Sequence, residues 1–119
     1  MSEMHLGAVE SRFADIIWNN APLGSGELVK LAESELGWKK STTYTILRRL
    51  CQRGLFKNED GTVSVIVPKA DFAAMQSREF LDESFGGSLP AFIAAFSARE
   101  SLSREDIGAL QRLIDEARG

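Results

Sequence analysis

A chain of 119 residues with one cysteine, one histidine and a formal net charge of −3 cannot form an internal disulfide or a cysteine cluster for a metal. Its apolar share of 44 % is ordinary for a globular protein, no uncharged apolar run is long enough to span a bilayer, and no basic segment followed by an apolar core marks a secretory leader. The expectation is one domain, or a small domain with an appendage, in the reducing cytoplasm.

Glu3 to Asn20 is predicted to be a first helix, because Leu6, Val9, Phe13, Ile16 and Ile17 recur at intervals of three and four. Trp18, near its end, reads as a core or inter-helix anchor. Asn19-Asn20-Ala21-Pro22 stops the helix with two turn formers and a residue held extended before proline. Gly24-Ser25-Gly26 opens a second helix, with Ser25 or Gly24 as N-cap and Glu27 in the first turn. Its inner stripe is Leu28, Leu31, Ala32 and Leu36, and Gly37 sits where a left-handed cap would end it.

After the short connection Trp38-Lys39-Lys40, Ser41 or Thr42 caps a third helix. Thr43, Ile46, Leu47, Leu50 and Gly54 form its buried stripe, bordered by Cys51 as a small core residue. The opposite face carries Ser41, Tyr44, Thr45, Arg48 and Gln52, flanked by Thr42 and Arg49. From Lys39 to Lys57 there are six cations (Lys39, Lys40, Arg48, Arg49, Arg53, Lys57) and no acid. A merely solvated face usually mixes Glu with Lys. Hydroxyls and guanidinium groups without acids suit a helix lying against nucleic acid, where Arg meets phosphate or guanine and short hydroxyls reach phosphates and base edges. Two helices joined by a few residues, the second bearing that face, form a helix-turn-helix.

Gly54 closes the third helix. Leu55-Phe56-Lys57 and Thr62 to Val67 are β-type runs around Asn58-Glu59-Asp60-Gly61, a hairpin signal, and a hairpin in this place is the wing of a winged helix. Glu59 and Asp60 oppose phosphate contact at the tip, which leaves Lys57 as the DNA-facing part of the wing. Pro68 ends the second run.

A boundary is expected after Pro68, giving a winged-helix DNA-binding domain over residues 1–68 and a three-helix dimerisation domain over 69–119. The first tail helix runs from Asp71 as cap to about Glu83, with Phe72, Met75, Phe80 and Leu81 apolar. Phe85-Gly86-Gly87 breaks it. Ser88 to Arg99, with Pro90 in its first turn, is apolar around much of its circumference through Leu89, Phe92, Ile93, Ala94, Ala95 and Phe96. Ser103-Arg104-Glu105-Asp106 resembles a capping box, with Leu102 and Ile107 as hydrophobic staple, and opens a last helix bearing Ile107, Leu110, Leu113, Ile114 and Ala117. These helices hold too few large residues to bury their own apolar faces. The simplest cover for Phe80, Leu89, Phe92, Ile93, Phe96, Leu110, Leu113 and Ile114 is a second copy, whose two-fold symmetry matches a palindromic operator. Packing back onto the first domain is the competing reading. From Asp71 onward nine acids and five bases give a local charge of −4, so this region should face away from phosphates.

Taken together, Val9-Glu10 to Trp18, Thr42-Thr43-Tyr44-Thr45-Ile46-Leu47-Arg48-Arg49-Leu50, Arg53-Gly54-Leu55 and Phe80-Leu81 to Phe85-Gly86-Gly87 resemble the penicillinase-repressor family (BlaI/MecI type), which includes copper-responsive repressors. The double glycine, the apolar helix after it and the Ser103-capped terminal helix narrow the match beyond winged helices at large. The resemblance implies a mostly α fold with a β-hairpin wing in a cytoplasmic homodimeric repressor of transcription. It places DNA contacts on Ser41, Thr42, Tyr44 and Thr45; charge and position assign Arg48 and Arg49 to phosphates. It also implies a sensor-linked protease that cuts the dimerisation domain at the bond matching Ala95–Phe96. Members cut this way carry Asn before the Phe, where this chain has Ala95. Copper-responsive members end in a cysteine-rich tail that this chain lacks, so no metal and no cofactor is expected.

An enzyme finds little support. His5 is the only histidine, and no glycine-rich phosphate loop, metal spacing or paired nucleophile and base is visible. A winged helix relieved by another signal, or one used for protein interaction, is the alternative; the acid-free run from Lys39 to Lys57 speaks against the latter.

Overall fold

The computed structural model describes residues 6–119. Helix α1 spans Ala8–Asn20 and buries Phe13, Ala14, Ile16 and Ile17. The expected start at Glu3 lies outside the described residues, while Leu6 and Gly7 are non-helical. Gly7 takes the cap position, and its N–H donates to Glu10 Oε1 at 3.4 Å. A glycine has no side chain to return that bond, so only half of a capping box is made.

Strand β1 (Leu23–Gly24) leads directly into α2 (Ser25–Leu36), which buries Leu28 and Ala32. Gly37 ends α2 at φ 70°, a left-handed conformation open to glycine at little cost. There Gly37 N–H donates to Glu33 O at 3.0 Å and Trp38 N–H to Ala32 O at 3.3 Å, which meets carbonyls the helix leaves open.

Helix α3 spans Lys40–Gln52 and buries Thr43, Leu47 and Leu50, the core of the expected stripe. Its cap is Lys39, not Ser41 or Thr42. The Lys39 carbonyl accepts both Thr43 N–H (3.1 Å) and Thr43 Oγ1 (3.3 Å), so the first turn closes from within. Gly54 falls beyond the helix, at φ 84°.

Strands β2 (Phe56–Glu59) and β3 (Thr62–Val65) pair antiparallel, with Phe56 opposite Val65 and Glu59 opposite Thr62. Asn58 and Glu59 are therefore strand residues, and the turn is Asp60-Gly61 alone, both at positive φ (52° and 77°). That is the turn whose twist suits a two-residue hairpin. β3 stops at Val65 because Ile66 and Val67 both turn their N–H groups onto Leu55 O. β1 adds to the free edge of β3 in the order β1-β3-β2. Two residues give no alternation, so the sequence predicts no strand there.

Phe13, Ile17, Leu28, Leu47, Leu50, Leu55, Phe56 and Val63 form the sealed core between the three helices and this sheet. Trp18 serves as the expected anchor. Its Nε1–H donates to Val67 O at 3.0 Å, and its ring lies 5.3 Å from Phe56 and 5.6 Å from Phe72. The result is a winged helix.

Helix α4 spans Lys69–Phe85, starting before Asp71 because Pro68 O accepts Phe72 N–H at 3.0 Å. Two compact units divide within this helix, the first ending at Glu79 and the second covering Phe80–Gly119. Phe72 belongs to the core of the first unit.

The second unit contains the end of α4, α5 (Leu89–Arg99) and α6 (Arg104–Ala117). Ser88 Oγ accepts Ala91 N–H at 3.0 Å and Ser103 Oγ accepts Asp106 N–H at 2.9 Å, capping both helices. Phe80, Phe85 and Phe92 meet edge to face with centroids 5.4–5.8 Å apart, and Phe96 follows Phe92 at 6.4 Å. None of the described residues from Phe80 to Gly119 is buried.

Candidate nucleic-acid interface

The charged side chains at the start of α3 and most of its hydroxyls face solvent. Lys39, Lys40, Ser41, Thr42, Thr45 and Arg48 are all exposed, while Thr43, one helical position away from this face, is sealed in the core. Thr45 Oγ1 donates to Ser41 O at 2.9 Å. Its hydrogen is thus used within the helix, and it presents an acceptor oxygen and a methyl group outward.

Tyr44 sits deeper than the other expected contact residues. It is half-buried against the core and its hydroxyl donates to Ser25 Oγ at 3.1 Å. Together with Leu47, Arg48, Cys51 and Asn58 it lines a cavity of about 240 Å³ between α3 and β2. Asn58 has no charge and sits in a turn-like sequence, so only the strand pairing reveals that it flanks the helix. Burial pushes the Cys51 thiol above its ordinary range, which favours its protonated form.

The other two cations expected to contact DNA both face acids. Arg49 Nη1 lies 3.8 Å from Glu10 Oε2, and Lys57 Nζ lies 3.7 Å from Glu59 Oε2. The second pair is exposed on both sides, and pairs of that kind contribute little.

In the second unit, Phe80 (49 % exposed), Leu89, Phe96 (44 %), Leu113 (61 %) and Ile114 are open to solvent, and Phe92, Ile93 and Leu110 are half-buried. Ile107, expected in the staple and in the apolar set of the last helix, is as open as Ile114. A groove of about 260 Å³ between α5 and α6 is lined by Phe92, Phe96, Leu102, Leu110 and Leu113 among others. Ala95 and Phe96 lie in the regular part of α5, both exposed.

The sequence profile of the penicillinase repressor family matches residues 6–116 of this chain. The chain belongs to that family. Similar proteins include the penicillinase repressor of Bacillus licheniformis, 28 % identical over 105 residues, covering 85 % of this chain and 82 % of the relative. The methicillin resistance regulatory protein MecI of Staphylococcus aureus (strain Mu50 / ATCC 700699) is 20 % identical over 115 residues, covering 93 % and 94 %. An uncharacterised 16.5 kDa protein of Latilactobacillus sakei is 26 % identical over 103 residues, covering 83 % and 70 %. Membership of the penicillinase repressor family supports a transcriptional repressor, as the resemblance implied. Among the described residues of this family member, no helix is long and apolar enough to cross a membrane, and no group of three His, Cys, Asp or Glu could hold a metal ion.

Proposed function

We propose that this chain represses transcription as a homodimer, in which residues 1–68 bind duplex DNA and residues 69–119 pair two copies on a palindromic operator. The observation that carries this reading is the solvent-facing start of α3: Lys39, Lys40, Ser41, Thr42, Thr45 and Arg48 stand exposed with no acid among them. Lysines and Arg48 meet phosphates, while Thr45 and the Tyr44 edge face base edges in the major groove. Pairing is supported by the tail, whose large side chains are half open and which buries none of them alone. Loss of the dimer through cleavage at Ala95–Phe96 by a sensor-linked protease would release the operator. Ala95, in place of the Asn of members so cut, favours relief by a different signal as the second reading.

Footprinting of the protein across its own genome tests the proposal. The expected result is protection of two inverted half-sites separated by about one helical turn, 10 bp, or a multiple of it. A single unpaired half-site, or no protected site, contradicts it. Cleavage at Ala95–Phe96 in the native host on induction decides between the two routes of relief.

A further inference from the structure

We infer that the adjacent arginines of α3 have opposite jobs: Arg48 faces the DNA, whereas Arg49 is a tether that ties α3 to α1 through Glu10. The inference rests on the proposed DNA reading only for Arg48.

Successive residues on a helix point about 100° apart, so Arg48 and Arg49 head in different directions. Arg48 borders the cavity beside the wing and forms no ion pair with any described residue. Arg49 points the other way, with Nη1 3.8 Å from Glu10 Oε2. Glu10 itself is committed on both oxygens. Oε1 accepts Gly7 N–H at the start of α1, and Oε2 is shut off from solvent with no hydrogen-bond donor among the described residues. Among the described residues, the only formal positive charge paired with that enclosed oxygen is the Arg49 guanidinium.

The asymmetry of the pair decides which way Arg49 is held. The Arg49 side chain is 55 % exposed and the Glu10 side chain 25 %. A guanidinium in that setting could swing to a phosphate at little loss to itself. The carboxylate it left behind would be a partly desolvated charge with no counter-charge, an expensive state. Arg49 is therefore a positioning residue. Through it a single side chain of α1 closes its own first turn and fixes the tilt of the helix that presents Thr45 and Arg48.

Two measurements on the full chain separate the roles. In the first, affinity for a short mixed-sequence duplex is followed by fluorescence anisotropy against salt. Each phosphate contact contributes about 0.9 to the log–log slope. Arg48→Ala is expected to lower the slope by about one contact, and Arg49→Gln to leave it at the wild-type value. A slope loss in Arg49→Gln equal to that in Arg48→Ala overturns the tether. In the second, thermal melting compares Glu10→Gln, Arg49→Gln and the double variant. The double variant is expected to melt above Arg49→Gln alone, because it no longer strands a charge; a fall equal to the sum of the two singles also overturns the tether. Should Arg49→Gln not fold, Arg49→Met, which also removes the charge but keeps an unbranched apolar stem, enters both measurements with the same criteria. A wild-type protein with no salt dependence would count against the DNA reading instead, and the melting comparison would still report on Glu10 and Arg49.

Discussion

The Tyr44 hydroxyl donates to Ser25 Oγ at 3.1 Å, and the amide of the same serine donates to Gly61 O at 2.8 Å. One residue at the start of α2 thus joins α3 to the turn of the hairpin. A helix-turn-helix needs its second helix held at a fixed angle to the first, and the wing held beside both. Ser25 meets both needs with two bonds. Tyr44→Phe is expected to lower stability by about 1 kcal/mol, the usual net value of one such hydrogen bond. Ser25→Ala should remove the same bond, so the double variant should be no less stable than the worse single in a urea titration. Additive losses would mean the two groups act separately.

Thr45→Val tests the base-facing part of the interface. The change keeps the branched shape and removes an acceptor oxygen whose hydrogen already goes to Ser41 O. Affinity for the preferred operator should fall by about 1–3 kcal/mol if that oxygen reads a base edge. Affinity for mixed-sequence duplex should hardly change. Selection of binding sites from a random pool should show relaxed preference at one position of each half-site.

Phe92→Asp and Ile93→Asp probe the tail. Both residues are half-buried, and both line the groove between α5 and α6. A charge on that face should yield monomers by analytical sedimentation, and operator binding should weaken accordingly. A dimer that persists in both variants would place the pairing surface elsewhere.

Trp18→Phe should destabilise the first unit by about 1–3 kcal/mol. The change removes the donor to Val67 O, leaving that carbonyl unpartnered, and opens space beside Phe56 and Phe72. Denaturation followed by circular dichroism would read the loss.

Cys51 offers a pH test. Its thiol is raised from 9.0 by burial. A raised folded-state value means the stability it contributes is intact below the ordinary thiol range and declines as pH rises through that range, because the unfolded chain releases the proton first. Alkylation by iodoacetamide near neutral pH should be slower in the folded protein than in urea. Equal rates would show the thiol to be open.

The sequence was most legible where side-chain period and burial coincide. The stripe Thr43, Leu47 and Leu50 could be read from spacing alone, as could the left-handed stop at Gly37 and the turn glycine Gly61. Less legible were features set by contacts between distant segments. β1 exists because Leu23 finds Val63 across the sheet, and no local pattern announces it. The cap of α3 moved to Lys39 because Thr43 turns its hydroxyl inward onto that carbonyl. Charge alone could not separate Arg48 from Arg49; the distance to Glu10 does. Tyr44 was visible as a polar aromatic on the outer face, but its half-burial depends on Ser25, nineteen positions away.

No side chain beyond Glu79 is buried in the single chain. On the proposed pairing, a tail that completes its core against a second copy orders itself according to how much protein the cell makes, because association and folding share one equilibrium. Halving the supply would then remove more than half of the competent species. Gene dosage and dilution at cell division would set the steepness of the response, before any inducing signal arrives.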